Sequence, residues 1–572
     1  METAGGQRGR DGGGPKASPL DLLMNQIRRK RAASARKPLG RFLSRDRTAV
    51  PEAAEETGPT SGVAEAAGGE QDGGWGRVCV FLQKLGKEAD GRSLRLSHCD
   101  VTATDLLELA TLLRLLPRLE ELDVSWNELI GGCLPALTSH LQQVGGIRAL
   151  RLCSCRLNAA DVAALGEALC SVPLLEVLDL SWNSGVGGVA LQCLLGKLPP
   201  PLRELHLVAC RLTAADAAAL AGTVSAVPGL CVLDLSCNPQ LAQEVDAGGF
   251  AALASRLPHA AALAALRLQD CGLRPGGLEA LGGSLHHHLS LRELDLSCNK
   301  SLAGGLETLT PHLAHLTHLE SLDLHLCRLT RSDLEALIQV LPSMVGLTQL
   351  DVSCNQEAGG VVDQLVAALP LPQMRRLPLN SCSLNRDGFT ALALAVPALL
   401  SVDVSWCKVV GGRLALLLDA LQPSVVLELR LSSCDLTTED LRHLAAACRR
   451  GVLSSLRTLD VSYNGSVGED GWSALLAAGG LASLQDVDLS LRPLTSAPCS
   501  AWLPALLRAL PGLPALTRLA AQRWTAGPRD REQLTHSLRK RGVLLEWDVV
   551  TASSSEATNQ ESPEEDTRSL SN

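Results

Sequence analysis

The side chains able to act on a ligand recur at fixed intervals instead of gathering in one motif. Aspartate returns at one place in a repeated nine-residue segment, as Asp123, Asp179, Asp234, Asp295, Asp323, Asp351, Asp403, Asp460 and Asp488. Arg95, Arg151, His206 and Arg267 alternate with it in the first half, and Pro378 and Arg430 interrupt it later. On neighbouring strands about 4.8 Å apart, alternation sets a cation beside each carboxylate. Asp295, Asp323 and Asp351 follow one another without that relief. Two carboxylates at that separation repel by roughly 1 kcal/mol in water and by more in a lower dielectric. A basic partner or a bound cation would offset the repulsion, so one reading is that this run docks Lys or Arg groups of a ligand. The other is a solvated stripe bonded to the adjacent Ser297 and Ser353.

Three residues beyond the aspartates stand Trp126, Trp182, Trp406 and Tyr463, where the segment passes into a loop. Large aromatics on one exposed row suit the anchoring of a protein partner, and packing against the next loop or its glycine pair is the competing explanation. Cys99, Cys155, Cys210, Cys271, Cys327, Cys382, Cys407 and Cys434 share one repeat position, which points to structural burial. Cys237, Cys298 and Cys354 take the aromatic position and are candidates for exposed thiols. Cys153 and Cys155 lack a second ligand pair at zinc spacing, and His286, His287 and His288 read as a polar helix end or loop. No phosphate loop, nucleophile elbow or paired metal motif is found, so neither catalysis nor a cofactor is expected. Outside the repeats, Arg28, Arg29, Lys30 and Arg31 form a basic segment. It reads as a nuclear import signal, an anionic-membrane contact, a phosphorylation-tuned patch or a solvated tail.

The elements that position these rows are read from the segment itself: Leu119-Glu-Glu-Leu-Asp-Val-Ser-Trp-Asn127, Leu175-Glu-Val-Leu-Asp-Leu-Ser-Trp-Asn183 and Leu291-Arg-Glu-Leu-Asp-Leu-Ser-Cys-Asn299. A second series ends in Cys, as in Ile147 to Cys155 and Leu319 to Cys327. This is the leucine-rich-repeat pattern at the long end of its period range. The fourth and sixth positions point inward on a short strand, while the fifth, seventh and eighth are expected to face out. After the Cys-type strands come Thr102-x-x-Asp105, Asn158-x-x-Asp161, Thr213-x-x-Asp216, Thr330-x-x-Asp333 and Thr437-x-x-Asp440, each a capping box with Asp in place of Glu. After the Asn-type strands comes a glycine pair, such as Gly131-Gly132 or Gly304-Gly305. Each unit is strand, turn, helix. Because a helix is wider than a strand, the stack bends, which predicts an α/β solenoid, a horseshoe with a concave parallel β-sheet and helices on the convex side.

Alternating Cys-type and Asn-type repeats resemble the ribonuclease-inhibitor class of leucine-rich repeats, over roughly residues 75 to 525. Phe81 to Lys87, Asp123 to Asn127 and Leu489 to Pro493 share in the likeness. The resemblance implies an intracellular horseshoe and brings no catalytic residue. By fold-level analogy it also raises inhibition of a basic ribonuclease as an alternative function.

The expected organisation is a disordered 1–73, basic around 28–47, a capping helix in 74–92, repeats over 93–525, a closing cap in 526–550 and a disordered tail in 551–572. An insertion after Asn238 should loop out at the rim. Hydrophobic residues make up 46% of the chain and aromatics 2%, so the core must be Leu, Val and Ala. A formal charge of −9 speaks against nucleic acid as partner. No apolar run is long enough for a membrane helix, no secretory signal opens the chain, and an odd count of 19 cysteines favours a reducing compartment. Together these predict a cytoplasmic monomer, with nuclear access through the basic segment, that binds a protein ligand bearing a basic surface.

Overall fold

The computed structural model describes residues 69–87, 90–243, 248–285 and 290–547. The chain divides into two units, Ala67–Asn572, which contains every described residue, and Met1–Ala66. The second lies outside the described residues, as do the basic segment Arg28–Arg31 and the histidines 286–288.

Ten parallel three-residue strands, from Ser93–Arg95 to Gln349–Asp351, pair in sequence order. Register is strict: Leu94 lies beside Leu122, Leu150 beside Leu178 and Leu294 beside Leu322. These central leucines are buried, as are the sixth-position residues such as Leu96 and Val124. Six further strands, Ser401–Asp403 to Leu544–Glu546, continue the series. At the junction only Arg376 bridges the two runs, pairing with Gln349 and Ser401. Pro378, at the fifth position of that copy, has no N–H to give the ladder, so a full strand does not form there. Helices follow the strands and join copy to copy, and no helix among the described residues is long and apolar enough to cross a membrane.

Two side-chain ladders hold the coils in register. Asn299 Nδ2 donates to the carbonyls of Leu268 in the preceding copy (2.8 Å) and Leu296 in its own (2.7 Å). Its Oδ1 receives the N–H groups of Cys271 and Leu273, both at 3.0 Å. Cys327 Sγ then donates back to Leu296 O (3.2 Å), while the Cys327 N–H goes forward to Asn355 (3.1 Å). Backbone groups that a tight inward turn would leave orphaned are thereby satisfied. The closing Asn and Cys side chains bond neighbouring coils as expected, Cys99 excepted. It opens the series, is half-buried and donates to Ser97 O of its own copy.

The second ladder is built on the capping aspartates. All five predicted boxes form. Asp333 accepts the Thr330 N–H (2.9 Å) and, from the preceding copy, the N–H groups of Gly304 (2.8 Å) and Leu306 (3.0 Å). One carboxylate therefore caps two helices. Gly304 adopts φ 76° to present its N–H, a left-handed conformation that glycine takes without steric cost. At the first copy, Asp105 has no preceding repeat. Lys84 of the helix Gly69–Lys84 reaches it instead, at 2.9 Å.

The insertion after Asn238 turns inward at Leu241 and Ala242, both buried, and residues 244–247 lie outside the described set. At the last full copy Trp524 takes the place of Asn, and its Nε1 donates to Leu489 O at 2.8 Å. The chain ends its described course with the helix Pro528–Arg539 and the strand Leu544–Glu546, which joins the sheet beside Arg518–Ala520.

Burial alone would raise the Asp333 carboxyl, but the N–H groups of Gly304, Thr330 and Leu306 and the Thr330 hydroxyl hold it below the usual carboxylate range. A lowered value means stability present at neutral pH that is lost as pH falls through it. Asp333→Asn, whose amide cannot accept on both sides, should cost about 1–3 kcal/mol at pH 7. In urea unfolding its midpoint should lie closer to wild type at about pH 2.5, below the ordinary carboxylate range, than at pH 7, and a separation equal at both pH values would refute the double-cap role.

Candidate protein-binding face

The outward surface of the sheet carries two rows rather than one. Third-position residues such as Glu121, Glu204, Glu293 and Ser321 alternate with the buried leucines and lie half-buried beside the fifth-position row. The seventh position, expected to face out, is half-buried at Ser97, Val208, Gln269, His325 and Asn380 and is turned in at its serines in the aspartate-bearing copies. Ser125, Ser181, Ser297, Ser353, Ser405 and Ser462 are all buried. The aspartate two residues earlier bonds the main chain at each of them. Asp123 Oδ1 accepts the Ser125 N–H at 2.9 Å, and the same bond recurs at Asp179, Asp295, Asp323, Asp351, Asp403 and Asp460 within 2.9–3.0 Å.

The third row also corrects the expected charge pattern. Arg95 and Arg151 flank Asp123 in register, yet both pair with Glu121. Arg267 holds Glu293 with a two-pronged contact (2.6 and 2.9 Å) and reaches Asp234 only at 3.5 Å. Arg518, itself at the third position, engages Asp486 of its own row (2.6 Å) and the fifth-position Glu546 (2.9 Å). Arg95, Arg151 and Arg267 on the fifth row thus neutralise glutamates on the third first, and the aspartates second.

Asp295, Asp323 and Asp351 sit side by side in exact register on three adjacent strands. Arg267 stands across from Asp295 but is committed to Glu293. At the other end Arg376 Nη2 comes to 3.9 Å from Asp351. Beside them the third row offers Glu293, Ser321 and Gln349, none of them cationic. Burial, then the charges of Asp351 and Asp295, push the Asp323 carboxyl up to about 7, against the opposing pull of the His325 N–H and Arg376. Burial raises Asp295 as well, and likewise Asp403 and Asp460. Asp234 shows the contrast: it is buried too, but hydrogen bonds from His206 and Ser236, with Arg267 nearby, hold it below the usual range. The serine bonds of the alternative reading exist as well, since Ser353 Oγ donates to Asp351 at 2.6 Å.

All four aromatics occupy the same left-handed backbone conformation at φ 62–64°. That costs of order 1 kcal/mol for a residue with a Cβ, and it turns the ring out along the rim. Trp126 stacks on His98 of the preceding copy, with ring centres 5.3 Å apart. Trp182 is half-buried. Trp406 is 58% exposed, the most open tryptophan side chain on the rim, and its ring centre lies 6.4 Å from that of Tyr463. Cys237, Cys298 and Cys354 are half-buried, and burial pushes their thiols up, Cys237 to about 12. Sparse thiolate at neutral pH makes them poor nucleophiles, contrary to the reactive-thiol reading.

With the coils and their outer rows in view, the chain is a leucine-rich-repeat solenoid of the α/β horseshoe type. Residues 315–337 and 452–476 match the family described as Leucine Rich repeat. Pig (Sus scrofa) ribonuclease inhibitor is 33% identical over 209 residues, 36% of this chain and 43% of that protein. Human NACHT, LRR and PYD domains-containing protein 12 is 35% identical over 184 residues, 32% of this chain and 17% of that protein. The chain therefore spans less than half the length of these curated relatives. Among solved structures, a chain of the yeast Rad7 and Elc1 complex aligns over 68% of this chain and 89% of its own length, at 17% identity and a TM-score of 0.42.

A raised carboxyl binds its proton in the folded state at pH values where the unfolded chain has released it, so folding stability falls as pH rises from the ordinary carboxylate range towards 7. Asp323→Asn removes that loss. Its thermal midpoint should exceed wild type at pH 8 by of order 2 °C, and the gap should shrink by pH 5. A gap unchanged by pH would show that Asp323 does not titrate as described.

Proposed function

We propose that the chain is a non-catalytic scaffold that holds a protein partner with a basic surface against the outer face of its sheet. The observation that carries this reading is the run Asp295, Asp323 and Asp351, in register, with Arg267 committed to Glu293 at one end and Arg376 reaching Asp351 at 3.9 Å at the other. Lys or Arg groups arriving there relieve the mutual repulsion of the carboxylates in a half-buried setting, where charge pairs act more strongly than in open water. Trp406 and Tyr463, two and four copies beyond Asp351, supply aromatic area for the same partner, and Asp403 and Asp460 end the strands that lead into those rings. Trp126 and Trp182, beside Asp123 and Asp179, extend the contact towards the first copies.

A reducing, intracellular setting suits the core. Thiol protons of Cys155, Cys210, Cys271, Cys327, Cys382, Cys407 and Cys434 bond carbonyls of the preceding coil, and oxidation would remove those donors. Cytoplasmic residence as a monomer, nuclear entry through Arg28–Arg31 and indifference to nucleic acid belong to the same proposal. A second reading, inhibition of a basic ribonuclease through this face, is favoured by the likeness to pig ribonuclease inhibitor.

The experiment is a titration of the full chain with an arginine-rich peptide and, separately, with a basic pancreatic-type ribonuclease. Converting Asp295, Asp323 and Asp351 to Lys should weaken peptide binding by at least about tenfold, and a triple Asn variant, which keeps an oxygen for each turn N–H, should weaken it too and decides alone where the Lys variant fails to fold. Binding that survives the triple reversal defeats the site. Ribonuclease left fully active at saturating chain removes the inhibitor reading alone.

A further inference from the structure

Between the last full copies the interior opens into a cavity of about 360 Å³. It lies between the coils centred on Val487 and Leu519, with Leu475 and Leu506 of the helices that precede those strands on its walls. Its origin is in the sequence. Gly479 (φ 69°) and Gly480 (φ 74°) follow the short helix Glu469–Leu476 with two left-handed residues. The following copy is also longer. Thr458 pairs with Asp486, but Asp486 pairs with Arg518, four residues further on than the preceding interval. The extra length goes into the strand Ala497–Pro498, which pairs with Trp524–Thr525 and not with the main sheet. Leu453 and Leu456 of the preceding copy are fully buried, whereas Leu481 and Leu484 at the same places are 7% and 2% exposed.

The walls are Leu, Val, Ala and Gly, and Arg508 is the only lining residue with a polar side chain. Arg508 is exposed at the opening, beside Ala477, Gly479 and Gly512. Its Nε donates to Pro504 O at 3.1 Å, and no carboxylate pairs with it among the described residues. Water is a poor occupant, since a buried water needs two to four polar partners and these walls offer almost none. An aliphatic chain meets the walls on equal terms. A cavity of about 150 Å³ holds the six carbons of benzene, so this one has room for roughly a dozen carbons in a single chain and not for a two-chain lipid.

We propose that this cavity is a binding site for one free fatty acid of medium length, its hydrocarbon tail between the Val487 and Leu519 coils and its carboxylate on Arg508. The site is separate from the acidic face and does not depend on it. A tail seated there replaces contacts that the two stretched copies do not make with each other, so it stabilises the C-terminal end of the solenoid.

The test is calorimetric titration of the full chain with dodecanoate, dodecanol and dodecylamine, alongside two variants. Wild type should bind dodecanoate saturably at one site, and dodecylamine should bind at least about tenfold more weakly. Ala509→Phe, which fills the cavity from the helix Leu503–Ala509, should weaken dodecanoate and dodecanol alike by about tenfold or more. Arg508→Glu, a change at an exposed side chain, should weaken dodecanoate by about fivefold or more while leaving dodecanol unchanged. If Ala509→Phe fails to fold by circular dichroism, Arg508→Glu with the three headgroups decides alone. Absence of saturable binding overturns the proposal, as does dodecanoate affinity indifferent to Arg508→Glu, or to a folded Ala509→Phe.

Discussion

A chain that turns back on itself once per coil must find partners for backbone groups that face the core at every turn, and the whole structure depends on how it does so. Asparagine solves the problem in both directions. Asn299 donates to carbonyls of two copies and accepts two N–H groups of the preceding one. Cysteine solves half of it, since Cys327 donates to Leu296 O but needs Asn355 to receive its own N–H. Alternation of the two types is therefore a hydrogen-bonding requirement. Cys407 shows what happens without it. There a thiol, pushed up by burial, faces the N–H groups of Cys382 and Leu384, which asparagine would have received at full strength. The same region contains Pro378, so the weakest link of the ladder and the break in the sheet coincide at one junction.

With stacking assigned to inward residues and cap carboxylates, the outward rows can carry charge without disturbing the core. The fifth-position aspartates divide their two oxygens accordingly. Oδ1 receives the turn N–H in copy after copy, while Oδ2 faces the cations, as in Asp234 with Arg267, Asp351 with Arg376 and Asp488 with Arg518. An aspartate here is structural through one oxygen and available through the other. The two explanations of the acidic run, turn-bonded stripe and docking site, therefore describe different atoms of the same residues.

Much of this was readable from residue types. Leucine spacing, the Asn and Cys closers and the capping boxes translate directly into burial and hydrogen bonds, because each repeats often enough for the physics to be checked against itself. What escaped was relational. The third row follows from the same two-residue alternation as the fifth, yet its importance emerges only when Arg95, Arg151 and Arg267 choose glutamate over aspartate, a choice of side-chain reach that no pattern encodes. The seventh-position serines looked exposed by alternation and are buried, because the strand ends at the fifth position and alternation does not carry on past it. Trp524 resisted a template built on Asn and Cys, although an indole N–H can reach Leu489 O just as an amide does. The cavity beside Val487 arises from a few residues of extra length distributed between two coils, and no single residue announces it.

Position and protonation of the acidic run are linked in a way that constrains any partner. Asp323 lies between two carboxylates and, at about 7, holds a proton part of the time near neutrality. A proton is the smallest cation able to relieve the repulsion, so it competes directly with Lys or Arg groups for the same carboxyl. Arrival of a fixed cation within a few ångströms favours the charged form and drives the proton off. On the proposed face, docking and deprotonation are then one event, and a cation brought near Asp295 or Asp351 alone still lowers the cost of ionising Asp323. Strict register makes this coupling strong: the three carboxylates cannot spread apart without breaking the leucine and asparagine contacts beneath them.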